Sequence, residues 1–598
     1  MTDDVEAADD SKSSGSDIAV DANGAEPVDP DPPADGEPVS EQGILGKIGH
    51  ALWWVYLRRG FPYLGLVGAL LFFLLSLTPS LLPRGAFFQG AVSGVAAVVG
   101  YGLGNLVSSL MRKFVDEPSA ETKKWAWWGL LIAAVILIPI FFTLATDWQN
   151  TVRVLMDMPE EPGYNMIGVL IIAAIVGYLG LVIARLIRGG FMGIVWLADL
   201  LLPRAIAVAI GVVGIFLLVV GILQGVVFEG IVDGVSAIYT VNDNSTTEGT
   251  FQSQSEYRSG SPASLVSWES LGNQGRDFAG EGEAVSFAQI QEFNGGDAIE
   301  PIRVYVGLKS ADTLEERVDL AMAELDRTNA WDRDVIAVYT TTGTGWIDPK
   351  VADALEYMHA GNVAAVGMQY SYLPSALSIF VDQDEVAETS FATINAVADR
   401  VAQMPEDERP KVVVFGESLG SFGTEHAFSG MTDLANKIDG GMLVGPPWFN
   451  PLWGPLTDAR EPGTPVWRPI YDDGETVRFV VLPETDFDNP PGAEWPEPRL
   501  VYLQNSSDPI VWFSIASMLR KPEWMNDPRG PDVTPDMEWY PFVTSFQLLA
   551  DLAYSTGVPG GHGHKYGSNT TDAWAAIVPP DGWTDADTQR LKAIIGEL

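Results

Sequence analysis

The sequence holds no cysteine in 598 residues. That absence excludes disulfide staples, thiolate zinc sites, iron–sulfur ligation and a cysteine nucleophile. It is compatible with an oxidising compartment. Histidine is nearly as scarce: His50, His359, His426, His562 and His564 are all there are. Basic residues are few as well, with 35 Lys+Arg against 78 Asp+Glu and a formal charge of −43. Nucleic acid is a polyanion and needs a basic partner, so it is excluded. Apolar residues are plentiful at 47%. At about 150 residues per domain, the chain is too long for one ordinary core.

The charge is unevenly spread. Residues 1–40 carry 12 acids and one lysine, a net of −11. Residues 41–230 carry 12 Lys+Arg and 10 Asp+Glu, a net of +2. The remainder, 231–598, has a net of −34. Three regions follow. Residues 1–45 are expected to be a disordered acidic tail, because Asp, Glu, Pro, Gly and Ser cannot bury enough area to offset ordering entropy. A secretory signal begins basic and turns apolar, which this tail does not.

Residues 46–230 read as a transmembrane helical domain. Five stretches are long enough for about 30 Å of hydrocarbon: Phe61–Leu82, Phe87–Met111, Trp125–Thr146, Met166–Leu186 and Ala205–Phe228. Gly90 and Gly94, then Gly100 and Gly104, lie four apart on one helical face, a spacing that admits close helix contact. Trp125, Trp127 and Trp128 suit an aromatic belt. Gly190–Leu202 is expected to be an interfacial helix rather than a sixth span. Asp199 and Asn165 are weak material for an ion relay, so the bundle reads as an anchor.

Lysine and arginine set the orientation. Arg58 and Arg59 precede the first span. Arg112, Lys113, Lys123 and Lys124 lie between the second and third, and Arg185, Arg188 and Arg204 flank the fourth and fifth. The opposite loops hold only Arg84 and Arg153. The N-terminus is therefore expected in the cytoplasm of a multi-pass plasma-membrane protein, with the C-terminal region outside.

Residues 231–297 are polar and are expected to form a linker with edge elements. From 298 to 598, short β-rich runs alternate with helical stretches. Strands are expected at Pro301–Leu308, Asp334–Thr340, Asn362–Tyr370, Lys411–Phe415, Met442–Gly445, Val477–Leu482 and Arg499–Gln504. Helices are expected at Ala311–Leu325, Glu388–Met404 and Ser421–Lys437. Such alternation predicts an α/β domain with a mostly parallel sheet.

The strongest local signal is Gly416-Glu-Ser-Leu-Gly420, a G-x-S-x-G match after four apolar strand residues. A sharp strand-to-helix turn lifts the Ser418 hydroxyl clear of the sheet. The Leu419 amide then stands at a helix start, where it can face an oxyanion. Serine needs a base to take its proton. His562 and His564 lie in a Gly-rich loop near the C-terminus, where the order serine, acid, histidine puts the base. His564 is favoured, because Tyr566 can pack behind its ring; His562 is the alternative. Asp508 follows the strand Arg499–Gln504 through a polar turn stiffened by Pro509, and is the expected acid. The second oxyanion donor is expected in the loop after Asp334–Thr340, from the amide of Thr341 or Thr342. Trp448, Phe449 and Trp453 either line an acyl channel or simply pack. No metal or cofactor is expected.

From about residue 50 the chain resembles actinobacterial α/β-hydrolase proteins with an N-terminal multi-span membrane domain. The resemblance rests on the spans, on GESLGSFG at 416–423, on NSSDPI at 505–510 and on GHGHKY at 561–566. It implies an α/β-hydrolase fold, with Ser418, Asp508 and one of the two loop histidines as catalytic residues. The expected activity is a serine esterase acting on acyl esters of envelope lipids or glycolipids. The alternatives are acyl transfer to an envelope sugar or lipid hydroxyl, and a non-catalytic envelope scaffold or transport accessory.

Overall fold

The structure, a computed structural model, describes residues 62–597 except 117, 164, 223, 226–228 and 283. The acidic tail, His50, Arg58 and Arg59 lie outside the described residues.

The N-terminal part is helical: α1 (Tyr63–Ser76), α2 (Ala86–Met111), α3 (Ala120–Leu155), α4 (Met166–Asp199), α5 (Arg204–Ile222) and α6 (Glu229–Asp243). Helices α2 to α5 are long and apolar enough to cross a membrane. Helix α1 has only 14 described residues. The sequence expectation ran this span on to Leu82, but Pro79 and Pro83 cannot continue a helix. Phe61, its expected start, is outside the described residues.

Glycine sets the spacing between helices. A Cβ at Gly100 would lie 2.2 Å from the Gly68 carbonyl oxygen, and one at Gly104 2.0 Å from that of Leu64. A Cβ at Gly90 would meet Ile172 at 2.6 Å, and one at Gly94 Val176 at 2.8 Å. One end of α2 thus docks on α4 and the other on α1, the close helix contact that the glycine spacing admits. Meanwhile Leu131, Ile132, Val135 and Ile136 of α3 are exposed, as a helix facing hydrocarbon requires.

Gly190–Leu202 is not a separate interfacial helix. Up to Asp199 it continues α4, which runs for 34 residues. The reason is packing: a Cβ at Gly211 of α5 would lie 2.3 Å from Val195 and 3.0 Å from Phe191, so α5 holds this stretch helical.

The C-terminal part carries seven parallel strands: β1 (Ile302–Val306), β2 (Val335–Thr340), β3 (Val363–Met368), β4 (Lys411–Glu417), β5 (Gly440–Val444), β6 (Val477–Val480) and β7 (Arg499–Leu503). Their order is β1-β3-β2-β4-β5-β7-β6. All seven fall within or next to the expected runs. Most strand residues are buried, as helices on both faces demand. Helices α7 (Leu314–Arg327), α9 (Gln383–Ala402) and α10 (Leu419–His426) pack together; α8 (Pro349–Met358), α13 (Asn569–Ile577) and α14 (Asp585–Glu597) form a second group. In chain order, α11 (Pro509–Trp512) and α12 (Val543–Ala553) fall between α10 and α13. The expected helix Ser421–Lys437 is broken near Gly430, whose φ is +153°.

The polar segment 231–297 is not a loose linker. Val266, Leu271, Phe278, Ala279, Val285 and Ile290 join the main core. Its hydroxyl residues satisfy one another and the core, which lets a polar sequence be buried. Ser264 Oγ and the Leu265 amide donate to Glu324 at 3.0 and 2.6 Å. The buried Arg303 guanidinium binds the Phe278 carbonyl at 3.0 Å and pairs with Glu356 at 2.6 Å and with Asp353.

Bundle and α/β domain interlock. Leu81, Leu82, Val152 and Met156 are essentially inaccessible and belong to the core of the α/β domain. The Leu81 amide donates to Asp551 Oδ2 at 3.1 Å, and Gln547 Nε2 donates to the Thr78 carbonyl at 2.8 Å. Both acceptor and donor side chains belong to α12. The Arg84 amide donates to Gln149 Oε1 at 2.8 Å, tying the α1–α2 connection to α3.

Candidate active site

Ser418 follows β4 and caps α10, with φ 52° and ψ −124°, a conformation that costs strain for a residue with a side chain. The flanking glycines make the turn possible. A Cβ at Gly416 would lie 2.4 Å from the Gly420 carbonyl oxygen, and one at Gly420 2.6 Å from that of Thr340. The Ser418 amide donates to the Val444 carbonyl at 2.8 Å. The next residue, Gly445, has φ +53°, and a Cβ there would sit 2.4 Å from His564 Cε1 and 3.0 Å from Asp508 Oδ2. The imidazole and carboxylate therefore lie against the backbone one residue beyond the carbonyl that holds the serine turn.

Asp508 and His564 are brought together. Asp508 Oδ2 lies 2.6 Å from His564 Nδ1 and also accepts from the Tyr566 hydroxyl at 2.6 Å. Its Oδ1 accepts from the Ile510 amide at 2.8 Å, so the acid also caps α11. A carboxylate acceptor fixes the imidazole proton on Nδ1 and leaves Nε2 a base. Burial disfavours the imidazolium, but the Asp508 charge and hydrogen bond, and then Glu417, outweigh it; the His564 pKa rises above its ordinary value. Tyr566 packs edge-on against the ring, with centroids 5.8 Å apart. Sequence reasoning placed that aromatic behind the ring and missed its hydroxyl; the spacing of HKY gives no sign of the bond to Asp508.

Residues 302–591 match the alpha/beta-hydrolase family, and residues 77–282 match an alpha/beta-hydrolase family N-terminus. The chain belongs to the alpha/beta-hydrolase family. No curated protein and no solved structure matches it.

In this family member the other sequence-nominated residues divide into two groups. His562 sits apart from Asp508: its Nδ1 is 3.1 Å from Asp532 and its Nε2 3.7 Å from Asp157, in the α3–α4 connection. Asp532 also accepts from the Ser506 hydroxyl at 2.7 Å and from Ser507. His359 binds the Val578 carbonyl at 2.9 Å, and His426 the Phe422 carbonyl at 2.8 Å. The Thr342 amide is committed to the Trp346 carbonyl at 3.0 Å. The Thr341 backbone runs beside the elbow, with its carbonyl oxygen 3.3 Å from the Cβ position of Gly420. Leu419 is the first residue of α10 and is buried.

Trp453 is buried, donates to Gln504 Oε1 at 2.8 Å, and packs on Trp512. It is a core residue. Trp448 and Phe449 are half-buried. Phe449 packs on Phe422, one turn beyond Ser418, at 5.2 Å between centroids.

Glu417 adds a titratable group that the sequence left without a role. Burial, then the Asp348 carboxylate, push its pKa up to about 8, against the pull of His564. Within α10, the buried Glu425 accepts from Asn450 and Tyr502 at 2.8 Å each. Burial raises it to about 7.

Proposed function

We propose that the protein is a membrane-anchored serine hydrolase that cleaves acyl esters of envelope lipids or glycolipids. The observation that carries this reading is the Asp508–His564 pair seated against Gly445, one residue past the carbonyl that binds the strained Ser418 turn. His564 Nε2 takes the Ser418 proton as Oγ attacks the ester carbonyl carbon. The amides of Leu419 and Thr341 receive the oxyanion. The carbonyl–alkoxy bond breaks, and the imidazolium returns its proton to the departing alcohol. Water then gives a proton to His564, attacks the acyl-serine, and releases the acid; Ser418 recovers its proton. Asp508 and Tyr566 hold the ring throughout.

The lipid class is supported by the apolar helices fixed directly to this domain. Sidedness is supported by charge. Arg112, Lys113, Lys123 and Lys124 lie at the connection of α2 to α3, whereas the connections 77–85 and 156–165 meet the α/β domain. Basic loops favour the cytoplasm, which leaves the α/β domain outside.

The test is product analysis by mass spectrometry, with the full chain in vesicles containing an ester lipid. Free fatty acid that appears with the wild type and not with Ser418→Ala is the expected result. Persistent transfer to an added alcohol in excess water would favour the acyltransferase. Identical behaviour of both proteins would end the enzymatic reading. A reporter fused after Leu598 checks sidedness; activity inside the cell would overturn it.

A further inference from the structure

The segment after the acid turn carries an apolar surface that the proposed catalysis does not use. The 3₁₀ turn Ile515–Met518 and the residue after it expose two large aliphatic side chains, Ile515 at 69% and Leu519 at 72%. Water disfavours such exposure. Arg520 and Lys521 follow at once, and neither makes an ion pair among the described residues.

The turn is rigidly held. The Ser517 and Ser545 hydroxyls lie 2.7 Å apart, Trp539 Nε1 donates to the Ser517 carbonyl at 2.8 Å, and the Phe542 amide donates to the Met518 carbonyl at 2.8 Å. Ser545 belongs to α12, and Gln547, two residues on, binds the carbonyls of Ser76 and Thr78. Ser76 is the last residue of α1. The turn is thus tied through α12 to the end of α1, at the foot of the apolar bundle. It also joins the site. Phe513 packs on Trp448, Trp448 on Phe449, and Phe449 on Phe422, with centroids 4.9, 4.9 and 5.2 Å apart.

We propose that Ile515 and Leu519 insert into the leaflet beside the bundle, with Arg520 and Lys521 on anionic lipid phosphates. The aromatic row Phe513–Trp448–Phe449 then leads an acyl chain from that leaflet toward Ser418. The occupant is lipid because the turn is tied through α12 to the apolar bundle and carries the charge that lipid headgroups complement. The acyl route rests on the hydrolase reading; the insertion does not.

The missing cysteine makes the test clean, since the parent chain takes no thiol label. Leu519→Cys, Ile515→Cys and, as control, Glu408→Cys before β4 are each labelled with an environment-sensitive fluorophore. The full chain is placed in phosphatidylcholine vesicles with a minority of phosphatidylglycerol. Brominated lipid is expected to quench the labels at 519 and 515 at least about two-fold and to spare 408. Arg520→Glu with Lys521→Glu should weaken that quenching. Emission at 519 and 515 matching the 408 control would overturn the proposal. So would disulfide formation between copies at 519 without lipid quenching, because a second chain would then be the occupant. Quenching with an unreactive Ser418 would keep the membrane contact and end the hydrolase reading. An active Ser418 with unquenched labels would do the reverse.

Discussion

In the helical bundle, Gly100 and Gly104 bring α2 against α1 backbone to backbone, while the large apolar side chains of α3 face outward. In the α/β domain the apolar side chains of seven strands face inward, and charges such as Arg303 and Glu425 are buried only with partners. The two regions obey opposite rules because their solvents differ. At their joint both rules hold together. Leu81 and Leu82 follow the apolar helix α1 and enter the α/β core, and their connection is bound by Asp551 and Gln547 of α12. A Cβ on Gly563, between the two loop histidines, would lie 3.4 Å from Leu82 Cδ2. The loop that carries His564 is therefore built partly on the membrane region.

The largest expected effect lies on the α/β side. Ser418→Ala should lower ester cleavage at least about a thousand-fold and leave the folded state intact. His564→Ala should act similarly, whereas His562→Ala should cost far less, since Asp532 and not Asp508 is its partner. Equal losses for both histidines would contradict the assignment; steady-state kinetics decide it.

Next comes the joint. Leu81→Ala should destabilise the α/β domain by about 2–5 kcal/mol, although residue 81 belongs to the membrane region by sequence. Denaturant unfolding followed by α/β-domain fluorescence measures this. An unchanged midpoint would mean that the two regions are independent.

A smaller effect is expected at Tyr566. Tyr566→Phe keeps the ring and removes one bond to Asp508, so kcat should fall by about ten-fold or less with KM little changed.

The smallest effects are those of pH. His564 must be neutral to act as base, and its pKa stands above 6.5. The acid limb of kcat/KM should therefore have its midpoint above 6.5. Glu425 is raised from 4.5 to about 7. The unfolded chain gives up that proton sooner, so the folded state holds more protons between these values. Stability should fall as pH rises from 4.5 to 7, and Glu425→Gln should flatten the decline.

Much of this was legible in the sequence. Short, mostly apolar runs announced all seven strands, because a parallel sheet buried on both faces favours nearly continuous apolar sequence. The elbow glycines, Asp508 and His564 were readable from order and setting. Other features depend on distant partners and were not. Segment 231–297 looked like a linker because its serines and threonines are polar; only the folded core shows Glu324 receiving them. Helix α4 outran its expected end because Gly211 of another helix supports it. The Tyr566 hydroxyl gained its meaning only when β7 and the C-terminal loop met.

The most direct test of the central claim is reaction of the full chain with a fluorophosphonate, followed by peptide mapping. The account predicts a single adduct on Ser418 that still forms readily in His562→Ala and is largely lost in His564→Ala. An unlabelled Ser418, or labelling that survives the loss of His564, would contradict it.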